Sequence, residues 1–224
     1  KMHQQISKKI IIYLFIFTTL VTVNNSNLLS FNLLQISKLD ISGLNNFEKK
    51  KFKKDFDFLK NENIMSLNKD EISKKIFSNK IVEDLFIFKK YPSELKIFIK
   101  KTNFLAVTKK DNLDYYVGSN GNFILTKDVT ENLPFIFGNV EPKDFLELKS
   151  LIDKSKFDFN QIKNLFFFKS KRWNIETKEG LIIKLPLNQI DLSLNILSKI
   201  MKEEKFKNKK VIDLRNNGQI VMND

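Results

Sequence analysis

The chain has 224 residues, with 39 Lys and Arg against 26 Asp and Glu, a formal net charge of +13, 42% hydrophobic residues, one His and no Cys. The lack of Cys excludes disulfides, Cys-ligated zinc, iron–sulfur clusters and thiol nucleophiles, and the lone His3 leaves no basis for a Ser-His-Asp triad or a His-rich metal site. Only Arg172 and Arg215 among the basic residues are Arg, the residue that best reads bases and phosphates, and the Lys are scattered beside acids, so the charge reads as a solvated surface and nucleic acid is not expected as a partner.

Ile10 to Val23 reads IIIYLFIFTTLVTV, without a charge. As a helix this run rises about 21 Å, short of a bilayer core of about 30 Å. No charge follows until Lys38, however, so a membrane anchor is expected at residues 10–25. Lys1, Lys8 and Lys9 precede it and make residues 1–9 a cytoplasmic flank, with the bulk of the chain outside. Two other readings are a cleaved signal peptide, for which Thr22-Val23-Asn24 is a poor cleavage site, and a core helix, which should show a polar face.

Beyond the anchor, Leu34 to Ser42 has strand character, and Gly43 breaks it. Leu44, Phe47, Phe52, Phe56 and Leu59 then predict a helix with these residues inward and the Lys-rich positions outward. Asn68, three residues before Glu71, suits the N-cap of a short second helix with Ile72, Ile76 and Phe77 inward. Two strands follow, Ile81 to Lys89 and Leu95 to Lys100, joined through Tyr91-Pro92-Ser93. Strand, helix, helix, strand, strand makes a small α+β unit whose expected core includes Ile41, Phe47, Phe56, Ile72, Ile76, Leu85 and Ile97.

From Phe104 the pattern turns strand-rich. Short apolar runs (Phe104 to Thr108, Tyr115 to Val117, Phe123 to Leu125) alternate with turn clusters such as Gly118-Ser119-Asn120-Gly121. Phe145, Leu148 and Ile152 predict a helix over about Pro142 to Lys154. Phe166-Phe167-Phe168 reads as core, and Trp173 to Thr177 with Leu181 to Leu185 reads as a hairpin. Ile190, Leu194, Leu197 and Met201 mark another amphipathic helix. Lys210 to Leu214, a tight turn at Asn216-Asn217-Gly218, and Gln219 to Met222 end the chain as two strands.

No catalytic, cofactor or metal residue is assigned. Ser66/Lys69 and Ser93/Lys96 match the Ser-x-x-Lys spacing of serine–lysine hydrolases, but the abundance of Lys explains both matches. Glu83-Asp84 and Glu203-Glu204 read as solvated charges, and there is no Gly-rich phosphate loop. The candidate binding site is the end of the chain. Arg215, Asn216, Gly218, Gln219, Ile220, Val221 and Met222 form a turn and a final strand with no further chain to cover its outer side, and unpaired strand edges are sites of pairing with another chain. The alternative is that this strand closes the domain with its apolar residues facing the core.

An apolar amino-terminal run, Ile41-Ser42-Gly43 ending a first strand, Asn63 to Leu67 before a short helix, Tyr91 to Ile97 between strands, Leu133-Pro134 with Gly138, Arg172-Trp173 with Gly180 and Leu185-Pro186, and Ile212-Asp213-Leu214-Arg215 together resemble the FtsQ/DivIB family of bacterial division proteins. The resemblance implies a POTRA domain at residues 34–101, a β domain at residues 102–224 and a non-enzymatic scaffolding role at the division septum, in the inner membrane with the bulk of the chain periplasmic. It also implies partners: proteins of the FtsB/FtsL type at the carboxy-terminal strand, and other divisome membrane proteins at the POTRA domain. The alternatives are another POTRA-bearing assembly or secretion factor and a membrane-anchored envelope hydrolase.

Overall fold

The computed structural model describes residues 8–23, 34–201, 209–216 and 219–223. The first helix, α1 (Lys8–Val23), has 16 residues, and its apolar side chains from Ile10 to Val21 are exposed on every side. Among the described residues no helix is long and apolar enough to cross a membrane. Asn24 and Asn25 of the predicted anchor, and residues 1–7 of the flank, lie outside the described residues.

The chain divides into two compact units, Lys1–Ile72 with Leu85–Ile99, and Ser73–Asp84 with Lys100–Asp224. Its α+β character is as expected. The elements β1 (Lys38–Ser42), α2 (Asn46–Asp55), α3 (Lys69–Phe77), β2 (Val82–Lys90) and β3 (Glu94–Lys101) follow the predicted order. They build a three-stranded sheet in the order β1-β3-β2, with β1 parallel to β3. Leu39 and Ile41 pair with Leu95 and Ile97, and all four are buried. Gly43 ends β1 at a positive φ of 89°, where a Cβ would run into the Ile99 carbonyl, so only glycine fits.

Helix α2 starts on a capping box: the Asn45 side chain accepts from the Glu48 N–H at 2.8 Å, and the Glu48 carboxylate accepts from the Asn45 N–H at 3.3 Å. Asn68 caps α3 as predicted, its oxygen accepting from the Asp70 N–H at 3.0 Å. Three expectations need correction. Phe47 is 80% exposed, because it stands five residues from Phe52, a spacing that puts the two on different faces of a helix. Phe77, at the last position of α3, is exposed rather than inward. Leu85 is only half-buried.

The second, larger sheet has nine strands. They are β4 (Phe104–Lys110), β5 (Leu113–Gly118), β6 (Phe123–Thr126), β7 (Phe135–Phe137), β8 (Ile162–Phe167), β9 (Trp173–Thr177), β10 (Ile182–Lys184), β11 (Val211–Asn216) and β12 (Gln219–Asn223). Their order in space is β12-β11-β10-β9-β8-β7-β4-β5-β6. Two helices share its core: Phe145, Leu148 and Ile152 of α4 (Pro142–Lys154), and Ile190, Leu194 and Leu197 of α5 (Ile190–Ile200), lie in one buried cluster with Ile136, Leu165, Ile175, Ile183 and Ile212. The Phe triple does not enter this core as a block. It ends a strand, so side chains alternate: Phe167 packs on the core, Phe166 stacks on Phe137 at 5.1 Å between ring centroids, and Phe168 is exposed.

Candidate functional site

The predicted binding residues meet at one margin of the nine-stranded sheet. Strand β12 pairs antiparallel with β11 and, among the described residues, has no strand on its other side; β6 is the opposite margin. Ile212 pairs with Met222, Asp213 with Val221, and Asn216 with Gln219. The register shifts by one residue between Asp213 and Asn216, so Leu214 and Arg215 together face Ile220 across a bulge. Gly218 lies outside the described residues, as does the neighbouring Asn217.

Which backbone groups point outward follows from the pairing on the far side of β11. The Ile182 N–H donates to the Lys210 carbonyl at 2.8 Å, in a parallel register where Ile182 stands beside Val211. Parallel pairing of this register turns Ile212 toward β10 and leaves Val211 and Asp213 turned toward β12. Asp213 and Val221 therefore form a hydrogen-bonded pair, as do Asn216 and Gln219. The alternation leaves the N–H and C=O groups of Ile220 and Met222 directed away from the sheet. Their side chains are half-buried and pack against the core cluster, whereas Val221 is 47% exposed.

Electrostatics at this margin centre on Asp213. The Arg215 guanidinium and Asp213 carboxylate are bonded through Nε at 2.8 Å and through a second, shorter contact from a terminal nitrogen, and the Arg215 N–H adds a bond at 3.1 Å. The guanidinium holds the Asp213 carboxyl below its usual range, and Lys184, with its amine 4.0 Å away, acts in the same direction. Asp213 in turn raises the pKa of Arg215. Arg215 and Asn216 are exposed beside the strand.

At the two Ser-x-x-Lys matches the hydroxyls bond to other groups. Ser66 donates to the Asn63 carbonyl at 3.3 Å, and the Ser93 hydroxyl bonds that of Ser37 at 2.9 Å while the Lys96 amine lies 3.9 Å from Glu94. Among the described residues no group of acids and His could hold a metal ion. Sequence reasoning located the edge but missed the bulge and the outward direction of the Ile220 and Met222 amides. The outward direction follows from the pairing of β11 with β10, a strand distant in sequence, so no local signal carries it.

Residues 34–101 match the model of the FtsQ-type POTRA domain, and residues 106–215 match that of the C-terminal domain of cell division protein FtsQ/DivIB. The cell division protein DivIB of Clostridium botulinum is 27% identical over 149 residues, 66% of this chain and 56% of that protein. The cell division protein FtsQ of Bradyrhizobium diazoefficiens is 26% identical over 168 residues, 71% of this chain and 48% of that protein. FtsQ of Rickettsia bellii is 23% identical over 83% of this chain and 70% of its own length. This chain thus spans about half the length of the first two relatives. The solved major extracytoplasmic domain of the trans isomer of DivIB from Geobacillus stearothermophilus aligns with 49% of this chain and 98% of its own, at 12% identity and a TM-score of 0.35, a likeness too weak to inform the packing.

Proposed function

Because the chain belongs to the FtsQ/DivIB family, we propose that it is a single-pass inner-membrane scaffold of the bacterial division septum. In this reading the region of α1 anchors the chain with its amino end in the cytoplasm, and the bulk of the protein is periplasmic. Uniform apolar exposure from Ile10 to Val21 supports the anchor, because such a helix finds favourable surroundings only in an apolar phase. The protein acts by holding partners rather than by turning over a substrate. Division proteins of the FtsB/FtsL type bind at β12, and other divisome membrane proteins bind at the POTRA domain.

The observation that carries the reading is the open margin at β12, with the amides of Ile220 and Met222 aimed outward. A partner segment adding itself as a tenth strand would bond to those groups, while Val221, Arg215 and Asn216 meet its side chains. Proline scanning of the full chain tests this against an FtsB-type extracytoplasmic fragment. Ile220→Pro and Met222→Pro each remove one outward donor and should weaken binding roughly three- to ten-fold, the worth of one hydrogen bond. Ile220→Ala and Met222→Ala keep the donors and should bind nearly as wild type. Val221→Pro removes a donor that serves Asp213, so it should lower stability first. Equal losses in the Ala and Pro variants, or loss on Ile124→Pro in β6 instead, would move the site elsewhere.

A further inference from the structure

Phe47 stands 80% exposed on the outer side of α2, opposite the buried Phe52 and Phe56. Lys50, Lys51 and Lys54 follow it at i+3, i+4 and i+7, so all four occupy one exposed face. Residues 49–54 hold five Lys, against Glu48 and Asp55 as the only acids of the helix. Glu48 is committed to the capping box, its carboxylate bonded to the Asn45 N–H. An aromatic ring ringed by lysines, whose apolar stems can lie along a surface while their amines stay wet, is a pattern suited to the boundary between lipid headgroups and acyl chains. The opposite charge such a face needs is that of anionic headgroups.

Chain length supplies the occupant. Only residues 24–33 lie between α1 and Leu34, and ten residues reach at most about 35 Å when fully extended. A membrane that holds α1 is therefore always close to the unit that carries α2. We infer that the Phe47, Lys50, Lys51 and Lys54 face of α2 rests on the anionic lipid surface of the membrane in which α1 is anchored. The inference depends on the anchor proposed above and adds to it a second, reversible membrane contact.

The test uses the full chain, which has no Cys, so that Phe47→Cys introduces a single thiol for a nitroxide label. In vesicles of phosphatidylglycerol and phosphatidylcholine, the label at position 47 should be more accessible to oxygen than to a water-soluble nickel chelate. A label at Glu71→Cys, exposed on α3, should stay chelate-accessible. In phosphatidylcholine alone, or with Lys50→Glu, Lys51→Glu and Lys54→Glu combined, the population in contact should fall by roughly five-fold for each lysine interaction lost. A label at Phe15→Cys reports the anchor separately. Lipid exposure at position 15 with none at position 47 overturns the inference and leaves the anchor standing. Contact at position 47 that ignores lipid charge and the Lys reversals also overturns it, and a label at position 15 left in water brings down anchor and inference together.

Discussion

Asn120 makes a stringent probe of the second unit. Its side-chain amide donates to the Lys80 and Val82 carbonyls at 2.9 Å each, and its side-chain oxygen accepts from the Asn122 N–H at 3.2 Å. One side chain thereby ties the strand start at Val82 to the turn after Gly118. Asn120→Ala deletes three hydrogen bonds, each worth about 1 kcal/mol net, for an expected loss of about 2–3 kcal/mol. Asn120→Asp keeps the acceptor for Asn122 but sets a carboxylate against two carbonyl oxygens, so it should cost at least as much. At about 3 °C per kcal/mol for a unit of this size, both variants should melt about 6–9 °C below wild type. The assay is built in: Trp173, the chain's only Trp, is buried in the nine-stranded sheet, so its emission reports this unit alone. Melting within about 1 °C of wild type for both variants would refute the reasoning, because it would mean that water serves those carbonyls equally well.

Ile97→Ala in β3 removes a buried side chain from the smaller sheet, and should lower stability by about 2–5 kcal/mol in urea unfolding followed by far-ultraviolet circular dichroism; an unchanged midpoint would show the register to be wrong. Arg215→Gln tests the ion pair through pH. Because the folded state depresses the Asp213 carboxyl below its ordinary value of 3.8, the pair's contribution is full above that value and is lost as pH falls through the folded pKa. The wild-type advantage in urea midpoint should therefore hold at neutral pH and shrink below pH 3.8, and a gap that is constant across pH would rule the pair out as its cause.

Helices α4 and α5 are legible because their apolar residues repeat at helical spacing: six of the seven predicted core positions are buried, and Met201, just past the end of α5, is half-buried against the same cluster. The same method failed on Phe47. An aromatic near a periodic run is counted with it unless the angle is checked, and a five-residue step crosses to another face. The Asn45 capping box is written in the sequence as Asn-x-x-Glu at the start of a Lys-rich helix. The nine-stranded continuity was not encoded locally at all. It depends on parallel pairings of β4 with β7, β7 with β8 and β10 with β11, between segments that a turn signal cannot join.

At the terminal edge, the two readings open to the sequence turn out not to compete. Side chains of a strand stand perpendicular to the sheet, whereas its N–H and C=O groups lie in the plane, so one residue can serve both directions. Ile220 and Met222 pack on the core cluster and still turn their amides outward. An added strand would gain backbone bonds from residues whose own side chains stay on the core face, and the exposed Val221, Arg215 and Asn216 would remain for discrimination among partners. Leu214 is buried in alternation with Ile212, whereas Arg215 is exposed and bonded to Asp213, so its charge is already partly answered. A partner carboxylate reaching Arg215 would therefore have to compete with Asp213, which favours backbone pairing over a new ion pair as the main source of affinity at this edge.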